Sequence, residues 1–177
     1  IFSSFNASKH TEKLGKRREL QDDFGTNPCS EIILRPREFC NLTEAVIRSE
    51  DRWSDIQRKV KLATVLGTWQ STLTNFRYIS NKWKTNCEEE RLLGVSLTGI
   101  MDNDLTNGHD LVSPTEIDIL SENLELLKEK ALGQNKWMSD QIGINPSAAI
   151  TAIKPSGTVS QLVDSSSGIH TRHSLYY

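Results

Sequence analysis

Apolar residues recur at a helical period in two stretches of the chain. In the first, from Asp55 to about Leu73 with Ser54 as the expected N-cap, they are Ile56, Val60, Ala63 and Leu66 or Gly67. The second begins at the capping-box sequence Ser113-Pro114-Thr115-Glu116, and its apolar positions are Ile117, Leu120, Leu124 and Leu127. We expect two helices that each bury one face, the second of them half-buried, with Gly143 ending the helical region.

Short apolar runs between polar segments predict strands. Residues 31–34 indicate a short strand that ends at Arg35-Pro36, and residues 44–48 indicate a second with two adjacent β-branched side chains. Residues 91–100 fit a buried strand or a buried helix equally well, whereas residues 148–153 are typical of a strand in a parallel sheet. The alternation of strands and helices after residue 44 predicts the α/β class.

Two further helices and a group of aromatic core residues are predicted outside these segments. A solvated helix is expected from Ala7 to Leu20, ending before Gly25, and another is expected to begin at Thr85. The second helix would hold residues 88–90, all glutamates, near the positive end of its dipole and leave Cys87 exposed. Core packing is the expected role of the aromatic residues Trp69, Phe76, Tyr78 and Trp83.

Composition narrows the class of protein. The chain has 177 residues, enough for one domain, with 36% hydrophobic and 25% charged residues. A formal net charge of −2 argues against a nucleic-acid partner. Without a long apolar run or a signal peptide, we expect a soluble, cytoplasmic chain with no membrane partner, and three cysteines without a CxxC pair fit a reducing compartment. Because it begins at Ile1, we expect it to be an internal piece of a longer protein.

A thiol, a carboxylate and an amide lie close together in the sequence Asn27-Pro28-Cys29-Ser30-Glu31, and a second thiol follows at Cys40. Pro28 favours extended backbone at Asn27, and continued extension would bring Asn27, Cys29 and Glu31 to one side of the chain. That side would combine a hydrogen-bonding amide, a sulfur nucleophile or radical carrier, and a general base. A buried cysteine beside a surface glutamate fits the same pattern.

A turn of small residues follows the apolar run 148–153 in the sequence Lys154-Pro155-Ser156-Gly157-Thr158-Val159-Ser160-Gln161. A strand, a tight turn and a helix start can present unpaired amides to a phosphate, and the lysine and hydroxyls would add donors. The spacing is not that of a Walker A motif, and a plain connection fits it as well. His170 and His173 have no carboxylate or thiol close in sequence, so we expect no metal site there.

Three blocks of this sequence resemble one family in the same order. Residues 27–32 with Phe39-Cys40-Asn41-Leu42 resemble the active-site loop of the adenosylcobalamin-dependent (class II) ribonucleotide reductases, and residues 88–103 and 148–173 resemble segments of their barrel. The resemblance implies the ten-stranded α/β barrel of that family. The chain would be a single partial domain over residues 1–177, roughly the second half of the barrel, with a finger loop at about 25–42 and a phosphate loop at about 154–161.

The same resemblance implies reduction of ribonucleotides to 2′-deoxyribonucleotides by a thiyl radical, with adenosylcobalamin as cofactor and a thioredoxin-like external reductant. Cys29 would carry the radical, Glu31 would be a general base with a raised pKa in a dry pocket, and Asn27 would orient the ribose hydroxyls. Cys40 would supply reducing equivalents with a partner outside this chain, since Cys87 does not match its position. Substrate phosphates would be held by Lys154, Pro155, Ser156, Gly157, Thr158, Val159 and Ser160.

Two other functions stay open at this point. One is a non-radical thiol enzyme in which Cys29 is the nucleophile and His170 or His173 the base, and independence from adenosylcobalamin would identify it. The other is a nucleotide-binding module without catalysis, which would tolerate loss of Cys29. On the reductase interpretation, we expect these 177 residues to be inactive alone, because half the barrel and one reducing thiol are missing.

Overall fold

The computed structural model describes residues 3–14, 18, 23–109 and 113–174, in which helices alternate with short strands. The elements in chain order are α1 (Ser4–Leu14), β1 (Gly25–Thr26), β2 (Ile33–Leu34), β3 (Asn41–Val46), α2 (Trp53–Gln70), α3 (Asn81–Glu90), β4 (Leu93–Thr98), a 3-10 turn (Ile100–Asp102), α4 (Pro114–Ile142) and α5 (Gly157–Leu162). None of the helices described is long and apolar enough to cross a membrane.

A parallel sheet centred on β4 organises the core. Strand β3 pairs with β4 from Asn41↔Leu93 to Val46↔Thr98, and every residue of β4 is buried. Residues 149–152 run along the other edge of β4, where the amide of Val95 donates to the carbonyl of Ile150 at 2.8 Å. These three segments confirm the α/β class, and within the described residues they form an open layer that does not close into a barrel.

Helices α2 and α4 cover one face of this sheet, as their apolar period predicts. In α2 the side chains of Ile56, Val60 and Ala63 are buried in the core. Gly67 allows close approach, since a Cβ there would lie 3.4 Å from Leu93. The core consists of Ala45, Ile47, Ile56, Val60, Ala63, Leu93, Val95, Leu97, Leu127, Ala131 and Ile150. At about 25 cal/mol per Å² of apolar area, this burial is the main stabilising contribution to the fold.

The start of α2 differs from the prediction, whereas the start of α4 agrees with it. Ser54 is not the N-cap, because Arg52 takes that position and its amide donates to the Asp55 carboxylate at 3.2 Å. At α4 the Ser113 hydroxyl accepts from the amide of Glu116, whose carboxylate accepts from the amide of Ser113 in return. Gly143 ends α4 with a φ of 70°, as expected.

The outer positions of both helices are more exposed than their apolar period suggested. Leu66 in α2 is 58% exposed, so the alternative core position, Gly67, is the correct one. In α4 the side chains of Ile117 and Leu124 are exposed and that of Leu127 is buried. The buried face of α4 therefore lies in its second half, which packs against α2.

The glutamates of α3 lie at the opposite end of the helix from the predicted one. Because α3 begins at Asn81 and not at Thr85, residues 88–90 form its last turn, near the negative end of the dipole. Cys87 is buried and not exposed. Arginine side chains from distant segments neutralise Glu89 and Glu90, which a local pattern does not reveal.

Some expected core residues lie at the surface. Trp69 and Tyr78 are exposed, so the core-packing prediction is wrong for both. Phe76 is half-buried and meets Phe39 edge-on, with 5.3 Å between ring centroids, and Trp83 is half-buried. The predicted strand 148–153 is reduced to one bridge between Thr151 and Val95, and only its Ile150 is buried.

The N-terminal helix is confirmed over most of the described part of its expected range. It covers Ser4–Leu14 and so begins before Ala7, Arg18 is not helical, and the remaining expected positions, residues 15–17, 19 and 20, lie outside the part of the chain that the structure describes. Ala7, Ser8 and Thr11 are buried, so α1 packs on the molecule instead of being solvated all round.

Candidate functional site

A two-stranded hairpin, β1 with β2, presents the thiol-containing segment as a tight loop. Its strands are antiparallel, with Gly25 opposite Leu34 and Thr26 opposite Ile33. The amide of Ser30 donates to the carbonyl of Asn27 at 3.0 Å, which closes a β-turn with Pro28 at its second position.

The segment is therefore looped, and the extension that would bring its three functional residues to one side does not continue. The Asn27 side-chain oxygen accepts from the Ile32 amide at 3.0 Å, and Ser30 adopts a φ of 64°. An asparagine that bonds to nearby backbone competes with extended structure, and this is the physical reason for the turn. Asn27, Cys29 and Glu31 share one loop but not one face of a strand.

The cysteine of this loop is exposed and the glutamate is largely buried, the reverse of the alternative with a buried cysteine beside a surface glutamate. Cys29 is exposed as a free thiol, while the Glu31 side chain is only 11% exposed. The alternative in which the cysteine is a core residue is therefore wrong, and the thiol is accessible from outside the loop.

Lys154 connects the two candidate segments. Its Nζ donates to Glu31 Oε1 at 3.1 Å, joining residues 123 positions apart in the sequence. The second oxygen, Glu31 Oε2, is buried without a hydrogen-bond partner among the described residues. The resulting site has one carboxylate oxygen held by an ammonium group and one oxygen available to another donor.

The pKa of Glu31 lies below its ordinary value of 4.5, although burial by itself would raise it. Hydrogen bonds from its own backbone amide and from Lys154 stabilise the carboxylate and outweigh burial. The expectation of a raised pKa is thus wrong for this structure, because that expectation did not include the lysine. The carboxylate is ionised at neutral pH.

The predicted phosphate loop, residues 154–161, is anchored to β4 at its first residue and runs into α5. The amide of Lys154 donates to the Ser96 hydroxyl at 2.9 Å, and α5 begins at Gly157. Ser156 is buried, and its hydroxyl has no hydrogen-bond partner within the described part of the chain.

The other residues of the phosphate loop divide between exposed and buried positions. Nothing lies within 4 Å of a Cβ built on Gly157, so this backbone is open to an approaching group. Pro155, Thr158 and Val159 are exposed. Ser160 is buried, and its hydroxyl donates to the Gly157 carbonyl at 2.8 Å, so it caps the turn from within.

A segment without an expected role, residues 166–172, supports the phosphate loop from behind. A Cβ on Gly168 would lie 2.8 Å from the Lys154 carbonyl oxygen. The Gly168 amide donates to Thr98 Oγ1, which donates to the Ser166 carbonyl, and the Ser166 amide donates to Asp102 at 2.7 Å. The small residues Ser165-Ser166-Ser167-Gly168 were the available sequence signal for such a close approach.

Arg172 fixes the far end of this supporting segment. Its guanidinium binds the Asp102 carboxylate with two hydrogen bonds, of 3.1 and 3.2 Å, and also contacts Asp164. Burial by itself would raise the pKa of Asp102. Hydrogen bonds from Arg172 and the Ser166 amide lower this pKa by more than burial raises it, so the pKa of Asp102 lies below its ordinary value. His170 and His173 are exposed, and the described residues contain no cluster of metal-binding side chains.

Cys40 lies at the start of β3 as a half-buried free thiol. Burial raises its pKa to about 12, and the charges of Arg18, Glu38, Glu31 and Lys154 also act on it. Its sulfur would be 3.3 Å from a Cβ on Gly94, so a side chain there would press on the thiol. Cys40 is therefore protonated at neutral pH and lies within the electrostatic range of the Glu31–Lys154 pair.

A buried charge cluster joins the hairpin to the end of α3. Arg18 Nε lies 2.9 Å from Glu90, Arg35 binds both Glu38 and Glu89, and the Glu38 and Glu90 side chains are fully buried. Burial, followed by the neighbouring Glu90 carboxylate, raises the pKa of Glu38 to about 8. These residues were not expected at the site, since their positions are scattered along the sequence.

Most of this chain can be aligned with curated proteins of one kind. No family model matches the chain. It is 30% identical, over 92% of its length, to the adenosylcobalamin-dependent ribonucleoside-triphosphate reductase of Lactobacillus acidophilus, and 31% identical over 92% to that of Lactobacillus helveticus. The chain spans about a quarter (24%) of the length of these curated relatives.

The fold gives the same relationship at lower sequence identity. The crystal structure of a B12-dependent (class II) ribonucleotide reductase superposes with a TM-score of 0.63 at 20% identity, covering 92% of this chain and 24% of the other. The sequence relatives and the fold converge on one group of proteins. The chain belongs to the family of adenosylcobalamin-dependent (class II) ribonucleotide reductases.

Proposed function

We propose that this chain contributes the radical-carrying loop and the substrate-phosphate loop to an enzyme that reduces ribonucleotides to 2′-deoxyribonucleotides. The observation that carries the proposal is the hydrogen bond of 3.1 Å between Lys154 and Glu31, which unites the two loops in one site. Relatives over 92% of the chain are named as reductases of ribonucleoside triphosphates, which supports a nucleotide substrate and favours the triphosphate.

Cys29 is the radical carrier in this proposal. The 3′-hydrogen of ribose is held too strongly for an acid or a base to remove, whereas a sulfur radical forms an S–H bond of comparable strength. An exposed, free thiol at the tip of a tight loop suits this role, because both a substrate and a radical source have to reach it. The hydrogen moves from ribose carbon to sulfur and returns at the end of the turnover.

Glu31 and Asn27 act on the ribose hydroxyls. An ionised carboxylate accepts the 3′-hydroxyl proton, and the lowered pKa of Glu31 keeps it ionised at neutral pH. Asn27 shapes the loop through its side-chain oxygen, which accepts from the Ile32 amide. Its amide hydrogens supply donors for the substrate and for Glu31.

Cys40 supplies one of two reducing equivalents. Two thiols form a disulfide and give up two electrons and two protons, while the 2′-hydroxyl leaves as water and a C–H bond takes its place. The pKa of about 12 keeps Cys40 in its hydrogen-donating form. The second thiol lies elsewhere in the proposed enzyme, and a thioredoxin-like reductant resets the disulfide.

Adenosylcobalamin, the cofactor named for the relatives, supplies a carbon radical when it is bound. The residue of this chain that fits this chemistry is Cys29, since its thiol is free and exposed. The chain's own contribution to this chemistry is the thiol and the loop that holds it.

The proposal is tested in a protein of full reductase length that contains this segment. Cys29→Ser is expected to abolish deoxynucleotide formation while nucleotide binding survives, because a serine O–H bond is too strong for hydrogen exchange. Cys40→Ser should still form the thiyl radical, seen by electron paramagnetic resonance, and fail at reduction. Cys87→Ser is the matched control, because Cys87 is buried in α3 and has no assigned step.

Three outcomes would contradict the proposal. Equal turnover of the wild type and the Cys29→Ser or Cys40→Ser variant would remove that residue from the mechanism. Turnover without adenosylcobalamin would indicate the non-radical thiol enzyme instead. Sustained deoxynucleotide formation by residues 1–177 alone would show that the parts assigned to the rest of the enzyme are not needed.

A further inference from the structure

We propose that Lys154 is a switch residue that binds Glu31 in the empty site and moves to a substrate phosphate when nucleotide binds, so that phosphate binding releases the carboxylate. This inference rests on the proposed function, since it uses the phosphate loop and the proton-accepting role of Glu31. It adds one step to those roles: phosphate binding at one loop changes the pKa of the carboxylate in the other loop.

The starting state of the switch is the observed ion pair. Lys154 Nζ lies 3.1 Å from Glu31 Oε1, and the two side chains are 28% and 11% exposed. This partial burial makes the pair stronger than a surface salt bridge, because water screens it less. A lysine is suited to exchange partners, since its ammonium group is a point charge on a flexible stem.

The main chain around Lys154 is held in place, so that only its side chain has to move. Its amide donates to the Ser96 hydroxyl at 2.9 Å, and its carbonyl lies against Gly168, where a Cβ would be only 2.8 Å away. Strand β4 and the supporting segment therefore hold the backbone on both sides. The ammonium group can rotate between Glu31 and the phosphate loop without rebuilding either loop.

Two buried polar atoms mark the places where the substrate completes the site. Glu31 Oε2 has no hydrogen-bond partner among the described residues, and neither has Ser156 Oγ, two positions after Lys154. A buried polar atom without a partner destabilises the free chain, because it has lost water without gaining another hydrogen bond. A ribose hydroxyl at the first atom and a phosphate oxygen at the second would satisfy both.

Charge favours the exchange when a nucleotide is present. A phosphate chain carries more negative charge than one carboxylate and offers several acceptor oxygens to the ammonium group. The ionisable groups that interact with Glu31 are Lys154 and the Cys40 thiol. Once Lys154 leaves, its hydrogen bond and its charge no longer lower the pKa of Glu31, whereas the hydrogen bond from the Glu31 backbone amide remains. The pKa of Glu31 therefore rises, and the carboxylate becomes a stronger base.

The test follows the Glu31 carboxyl carbon by NMR in the chain labelled with ¹³C-glutamate, with inorganic tripolyphosphate as the probe. Loss of one signal in Glu31→Gln assigns the resonance. The backbone amides of residues 156–158 report independently whether the probe binds. We expect the pKa of Glu31 to lie below its ordinary value in the free chain and to rise when the probe saturates the amides.

Variants of Lys154 separate the switch from the direct effect of the probe's charge. In Lys154→Met, checked for folding by circular dichroism, the pKa of Glu31 should be higher than in the wild type without the probe. The probe should then bind at least about tenfold more weakly, the loss of one charged hydrogen bond. Lys154→Arg keeps the charge and should restore the low Glu31 pKa.

Each result has one meaning. A probe that shifts the amides but leaves the Glu31 pKa unchanged would overturn the switch and leave the phosphate loop standing. Equal pKa rises in the wild type and Lys154→Met at saturation would also overturn it, because the probe's charge alone would then act on Glu31. A folded Lys154→Met chain that binds no probe supports the switch if its Glu31 pKa is higher than in the wild type, and overturns it if that pKa is unchanged. Amides in the wild type that do not respond at all would remove both the phosphate loop and the switch.

Discussion

Glu31 and Glu38 are seven positions apart, yet their pKa values are shifted in opposite directions. Burial raises both, but hydrogen bonds from its backbone amide and from Lys154 bring that of Glu31 below 4.5. Glu38 is buried beside the Glu90 carboxylate, and its pKa rises to about 8 in spite of Arg35. The identity of the nearest charged neighbour, more than burial itself, determines which glutamate is ionised at the site.

Replacing Glu38 by glutamine should increase the free energy of unfolding, and increase it more as the pH rises. Between about pH 4.5 and pH 8 the folded chain keeps a proton on Glu38 that the unfolded chain releases, so stability falls with rising pH. Glutamine stays neutral and removes this dependence, which amounts to at most about 1.4 kcal/mol per pH unit. Urea unfolding at pH 5, 6, 7 and 8 measures the difference.

The matched control for this change is Glu89→Gln. Glu89 also pairs with Arg35, at 3.1 Å, but its side chain is 46% exposed. Its effect on stability should be below about 1 kcal/mol, typical of an exposed pair. A difference between wild type and Glu38→Gln that stays constant from pH 5 to pH 8 would show that Glu38 is ionised in the folded chain throughout.

At the scale of elements, local signals predicted the start of a helix correctly where a serine is the N-cap and a glutamate follows three positions later. The α4 start required only Ser113, Pro114 and Glu116. The α2 start was displaced because Asp55, expected as the first helical residue, caps the helix through the Arg52 amide. Propensity and pattern are weak where two capping geometries compete within three residues.

Elements stabilised by distant partners were not predictable in the same way. The register of α3 depends on Arg18 and Arg35, which neutralise glutamates at its C-terminal end. The run 91–100 became a strand because β3 and residues 149–152 pair with both of its edges. Its apolar period was compatible with either structure, and the choice was made by tertiary hydrogen bonds.

Ser113→Ala should lower the free energy of unfolding by about 0.5–2 kcal/mol, because the Glu116 amide loses the Ser113 hydroxyl as one of its two acceptors. Ser54→Ala is the matched control, since Ser54 is an exposed serine in the first turn of α2 without the capping role. It should change stability by less than about 0.5 kcal/mol. Guanidinium unfolding followed by circular dichroism compares the two. Equal losses would mean that the capping box at α4 does not stabilise the helix.

At the scale of the whole molecule, residue types at the site were predictable but their connections were not. Asn27, Cys29 and Glu31 lie two positions apart in sequence, so their shared loop followed from the pattern although a shared side did not. The contact of Glu31 with Lys154 joins two ends of the chain, and nothing local indicates it. The support of the phosphate loop by Thr98, Asp102 and Gly168 has the same origin in tertiary packing.

Replacing Gly168 tests whether residues 166–168 position the phosphate loop. Gly168→Ala places a methyl group 2.8 Å from the Lys154 carbonyl, at a φ of 55° that disfavours a side chain, so the two segments must separate. The free energy of unfolding should fall by more than about 1 kcal/mol. Tripolyphosphate binding should weaken, and the amides of residues 156–158 should shift in the free chain.

Gly133→Ala provides the control within the same molecule. Gly133 lies in α4 with nothing within 4 Å of an added Cβ, so alanine should raise stability by about 0.5–1 kcal/mol and leave phosphate binding unchanged. Isothermal titration with tripolyphosphate and NMR of residues 156–158 compare both variants with wild type. If Gly168→Ala lost stability but bound the probe with unchanged affinity, residues 166–168 would stabilise the fold without positioning the loop. If Gly168→Ala binds tripolyphosphate more weakly and Gly133→Ala does not, residues 166–168 hold the Lys154 backbone in the position that phosphate binding needs.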